Sequence, residues 1–97
     1  MFVGTLRIDV LLGDVRSLKQ KRAVVRPVVA ELRRLDVAVA ETGHQDLYRR
    51  AEIGVVTVSG DAAQVRRVLD SCERVVAARP EIEVLSVRQR LLDEEDE

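Results

Sequence analysis

From Phe2 to Leu12 the chain alternates, and that period of two makes its first element a half-buried strand. Phe2, Gly4, Leu6, Ile8, Val10 and Leu12 fall on one face; Val3, Thr5, Arg7, Asp9 and Leu11 fall on the other. Gly13-Asp14 stops the strand. The period then changes. At about 100° per residue, Leu18, Val24, Val25, Val28, Val29, Leu32 and Leu35 form one broad apolar stripe, so Ser17 to Leu35 reads as a helix. Ser17 and Gln20 have the spacing of a capping box. Pro27 lies inside this helix, where it removes a backbone hydrogen bond and crowds the preceding turn. A kink or break is expected near Ala23–Arg26, the more so because Val24 and Val25 are weak helix formers.

Asp36 ends the helix, and Val37 to about Thr42 is a strand of small and β-branched residues. A polar turn, Gly43-His44-Gln45-Asp46, leads to another strand, surest from Ala51 to Ser59. Asp61 caps a second helix, with Gln64 at the position of its reciprocal partner. That helix runs to about Arg79 with Val65, Val68, Leu69, Cys72, Val75 and Val76 inward, and Pro80 closes it. Ile82 to about Leu91 is the last strand. The order βαββαβ predicts an α+β, ferredoxin-like fold: a four-stranded antiparallel sheet in order 4-1-3-2, with right-handed crossovers and two helices on one face. Residues 1–92 make one domain, and the acidic run 93–97 is expected to be a disordered tail.

Composition sharpens what such a domain can do. The net charge is −1, but the last five residues carry −5, so the body is mildly basic. From Arg16 to Arg34 there are seven cations and one anion, Glu31. Lys19, Arg22, Arg26 and Arg33 form a narrow stripe on that helix, with no interleaved acid to pair at i,i+4. Arg16 and Lys21 stand beside it, although Lys21 projects toward the apolar side, where a core residue belongs. A stripe of this kind is usually a solvated helix face and alternatively a phosphate-binding surface, and the absence of acids pulls toward the second.

Other chemistry is thinly represented. Glu41, His44 and Asp46 gather two carboxylates and the one histidine within six residues, an alternative loop site for acid–base or metal chemistry. The loop lacks the further histidines or cysteines of a specific metal site, so no metal or cofactor is expected, and turn formation explains it as well. One cysteine excludes an intramolecular disulfide, and Cys72 reads as a small core residue. No apolar run is long enough to span a bilayer and no signal peptide is evident, so a cytoplasmic, membrane-free protein is expected. Phe2 and Tyr48 are the sole aromatics, which argues against bases stacking on the sheet. The partly apolar free face of the sheet, with the near-chargeless edge Val37–Ala40, points instead to a homodimer.

Strand 1, then Ser17-Leu18-Lys19-Gln20-Lys21-Arg22, Val39-Ala40-Glu41, Gln45-Asp46-Leu47-Tyr48 and Ile53-Gly54-Val55 resemble the YlxP-like family of bacterial domains of unknown function. Tyr48 departs from the tryptophan many relatives carry there. The resemblance implies the same ferredoxin-like fold and brings no catalytic residues with it. Relatives are often encoded beside translation initiation factor two and ribosome-binding factor A, which implies work near the ribosome. The expectation is a non-enzymatic accessory protein that binds rRNA or a ribosomal surface through its basic first helix. The alternatives are a dimeric interaction module without nucleic acid, and a small-ligand or metal-dependent enzyme using the 41–46 loop.

Overall fold

Alternation in β1 (Phe2–Leu12) becomes burial: Leu6, Ile8, Val10 and Leu12 are fully buried, whereas Arg7 is exposed. The computed structural model describes residues 1–95, and in it β1 is a central strand. It pairs antiparallel with β3 (Arg50–Ser59) on one side and β4 (Ile82–Asp93) on the other. β2 (Ala38–Gly43) adds to the far side of β3, giving the order β2-β3-β1-β4. This is the expected α+β sheet order, read from the opposite edge.

Both helices bury their apolar stripes against the even-numbered face of β1. Val25, Val28 and Leu32 of α1 (Leu18–Arg33) and Val65, Leu69, Cys72 and Val76 of α2 (Ala62–Ala77) join Leu6, Ile8, Val10, Leu12, Ile53 and Val55 in one core. Gly4 marks the closest approach: a Cβ there would run into the side chains of Val65 and Leu69. The opposite face of the sheet, carrying Thr5, Arg7, Asp9, Glu52 and Gly54, is open.

Two bulges adjust which side chains face inward. In β4 the register against β1 shifts between Asp9 and Val10, leaving Leu85 as the extra residue. Val84 and Val87, three apart, thereby both reach the inner face. In β2 the register shifts between Glu41 and Gly43, so Thr42 is extra, and its side chain lies across Gly54.

Local expectations meet mixed outcomes. Ser17 caps α1, its Oγ accepting from the Gln20 N–H at 3.1 Å. The Gln20 side chain reaches one residue further back than a capping box requires, accepting from the Arg16 N–H at 2.6 Å. Pro27 does not break the helix: α1 runs through it. Ala23 and Pro27 are both exposed, so the carbonyl that Pro27 leaves without a donor faces water. Asp36 ends the connection in the left-handed region at φ 59°. Asp61 caps α2 by accepting from Ala63 N at 2.9 Å, but Gln64 accepts from Arg67 and is no reciprocal cap. At the start of the acidic run, Asp93 pairs with Phe2, and Glu94 exchanges backbone hydrogen bonds with Met1. The last two residues of the expected tail, Asp96 and Glu97, lie outside the described residues.

Candidate anion-binding helix face and the adjoining polar corner

Helical phase sorts the cations of α1 into two groups. Lys19, Arg22, Arg26 and Arg33 are all exposed, on the side of the helix away from Val25, Val28 and Leu32. Among the described residues none of the four makes an ion pair. Glu31, the one acid in this stretch, is taken by Arg79 from beyond α2. Arg16, just before the cap, meets Asp14 at 3.7 Å with both side chains in solvent, a contact worth little. The stripe runs over 15 residues, from Lys19 to Arg33, and its 14 steps of about 1.5 Å make it about 21 Å long. It is a row of unneutralised charge on a rigid support.

Lys21 belongs elsewhere. It is 2% exposed, and its Nζ lies 2.7 Å from Glu41 Oε2 and donates to the His44 carbonyl at 2.8 Å. Glu41 faces inward because it is opposite Ile53 in the ladder, ahead of the Thr42 bulge. The lysine thus ties the first turn of α1 to the end of β2 and to the loop after it. His44 sits at φ 60°, and its carbonyl also accepts from Leu47 N at 3.0 Å, closing the turn.

A second polar cluster occupies the open face nearby. Arg50 donates to Asp9 Oδ2 at 2.6 Å, and the His44 ring lies 3.4 Å from Asp9 Oδ1. Arg7 donates to Glu52 Oε1 at 3.0 Å, and the Thr42 hydroxyl donates to Glu52 Oε2 at 2.7 Å. Asp9, Arg50, Glu52 and Thr42 were invisible as a group in the sequence because only the β1–β3 register and the β2 bulge bring them together. The polar half of β1 was legible; its partners were not.

Comparison with known proteins bears on most of the chain. The model of a family described as "Protein of unknown function (DUF503)" matches residues 3–89. The chain belongs to that family. "Uncharacterized protein YlxP" of Bacillus subtilis (strain 168) is 29% identical over 82 residues, covering 84% of this chain and 89% of the relative. The resemblance to the YlxP-like family therefore stands, and the family's description assigns no activity.

In this DUF503 chain the residues of the alternative loop site do not converge. Glu41 turns inward to Lys21, His44 turns to Asp9 on the open face, and Asp46 is exposed. Among the described residues no three His, Cys, Asp or Glu side chains are placed to hold a metal ion. Cys72 is buried in the core, and burial pushes its thiol up, away from the reactive thiolate. No helix among the described residues is long and apolar enough to cross a membrane.

Glu52 gives this corner a pH signature. The Thr42 hydroxyl, and after it Arg7, hold the Glu52 carboxyl below the ordinary glutamate range, against the opposing effect of burial. A carboxylate held low in the fold adds stability at pH above its unfolded value. That increment disappears as pH falls through the lower folded value. Thr42→Val should cost about 1 kcal/mol near neutral pH. The difference from wild type should close in acid, once Glu52 is protonated in both states. Urea unfolding across pH reads it; a pH-independent difference would mean that Thr42 acts through packing on Gly54 alone.

Proposed function

We propose that the chain is a non-enzymatic accessory protein of ferredoxin-like topology that binds structured RNA, rRNA or an RNA-bearing ribosomal surface, through the solvent face of α1. The observation that carries this reading is the exposed row Lys19, Arg22, Arg26 and Arg33, with no acidic partner among the described residues. A solubilising surface mixes both signs of charge, whereas this one does not. Phosphates meeting the row release counterions, so binding is strongly salt-dependent and tolerant of sequence. Arg16 extends the row at its N-terminal end. Lys21 stands outside the contact set, since its charge is committed to Glu41.

The test is a salt titration of binding to rRNA fragments and to isolated ribosomal subunits. Reversing Lys19, Arg22 and Arg26 to glutamate should weaken binding on the order of a hundredfold or more at about 0.1 M salt and flatten the log–log salt slope by two to three, at roughly 0.7–0.9 per lost phosphate contact. All three positions are exposed, so circular dichroism should show an intact fold. Wild-type protein that fails to bind at low salt, or a triple variant that binds equally well, would remove the proposal.

A further inference from the structure

The open face of the sheet is divided lengthwise into a small half and a large half. β2 and β3 contribute Ala38, Ala40, Gly54 and Val56; β1 and β4 contribute Arg7, Arg88 and Arg90. The ladders place these residues in two rows across the strands. One row runs Ala40, Gly54, Arg7, Arg88, and the next runs Ala38, Val56, Thr5, Arg90. The result is an open groove of about 590 Å³ with small residues on its floor and arginines along one wall. Glu52 lines the groove on the small half. Arg88 and Arg90 make no ion pair among the described residues. The face ends in apolar Val58, 60% exposed, and Leu92, 43% exposed, on either side of Val3.

We infer that this face closes on a second copy of the chain, about a two-fold axis running along the strands. Such an axis exchanges the sheet edges, so β4 lies over the partner's β2 and β1 over the partner's β3. Levels along the strands are kept. Arg88 then faces the partner's Ala40, Arg90 faces the partner's Ala38, and Arg7 faces the partner's Gly54. Long side chains thus meet small ones at Arg88 with Ala40 and at Arg90 with Ala38, and Val3 meets the partner's Val58. Arg88 also comes within reach of the partner's Glu52, which puts the groove's acid on the half that receives the cations. The other face-to-face axis, across the strands, would set β4 on β4 and arginine against its own image, a like-charge arrangement. A self-complementary patch of this kind is what an isologous interface requires. Four strands about 4.8 Å apart and about ten residues long at about 3.3 Å each present roughly 600 Å² in projection. Side-chain relief brings that toward the about 800 Å² per partner of a standard-size interface.

Sedimentation velocity and light scattering at tens of micromolar test this, and the result is independent of RNA binding by α1. Wild type should be a dimer. Ala40 is exposed, so Ala40→Arg should leave the fold intact by circular dichroism. It fills the hollow with a like charge and should raise the dimer dissociation constant by about a hundredfold, as for loss of a hot-spot contact. Adding Arg88→Glu to Ala40→Arg should restore the dimer, a rescue that a folding defect would not give. A monomeric wild type, or a dimer indifferent to Ala40→Arg, overturns the inference. A monomer that loses affinity for RNA on Arg88→Glu and Arg90→Glu together would assign the face to a polyanion instead.

Discussion

Replacing Lys21 by methionine should destabilise the domain by about 3 kcal/mol, a larger loss than any other single change among the cations of α1. The methylenes of the new side chain fill the space, but the ammonium that met Glu41 and the His44 carbonyl is gone. Glu41 is left as an uncompensated charge whose side chain is 25% exposed, which keeps the cost at the low end for a broken buried pair. Removing both partners, Lys21→Met with Glu41→Met, should recover most of the loss, since two apolar groups of suitable volume need no partner. Urea unfolding with an unchanged m-value checks both variants. If Lys21 acts on RNA instead, Lys21→Met would lower affinity per folded molecule; the ion pair predicts unchanged affinity and lower stability. A loss below about 1 kcal/mol, the size of an exposed pair, would contradict the burial argument.

The second large effect is expected at Gly4. In a strand, alanine is ordinarily the better residue than glycine by about 0.5–1 kcal/mol, because glycine loses more backbone entropy. Here the sign reverses. A Cβ on Gly4 would overlap Val65 Cγ1 and come within 2.8 Å of Leu69 Cδ1, both on α2 and both buried. Gly4→Ala should cost about 1–2 kcal/mol, and Gly4→Val about 3 kcal/mol, as overpacking in a rigid core. Combining Gly4→Ala with Leu69→Ala should cost less than the sum of the two, because the new methyl occupies the space the leucine vacates. Thermal unfolding of the four proteins closes that cycle. Full additivity would show that α2 moves away as a body rather than being filled against.

How much of this was legible depended on range. Alternation in β1 and the helical stripes of α1 and α2 set inside against outside, and the burial of Leu6, Val28 and Leu69 follows directly. Helical phase alone placed Lys21 on the inner side of α1. Its partner did not follow, because Glu41 faces inward through a pairing with Ile53 that no local pattern encodes. The break expected at Pro27 does not occur because Ala23, whose carbonyl loses its donor, lies on the exposed side of α1, where water can take its place. The arginine wall of the open face went unnoticed because a bulge splits the alternation of β4 into two frames, with Val84 in one and Val87 and Leu91 in the other.

That bulge has a consequence for how the chain finds its fold. β4 follows a helix, so no tight turn dictates where it docks along β1, and a regular strand with one apolar face can slide by two residues without changing sides. The extra Leu85 removes that freedom. With the apolar residues split between two frames, sliding β4 by two would carry either Val84 or Val87 across the kink and turn it outward. The observed seating buries Ile82, Val84, Val87 and Leu91 together, so the irregularity works as a register lock for β4. Deleting Leu85 would leave the composition of β4 almost unchanged while erasing the mark that tells it where to stop.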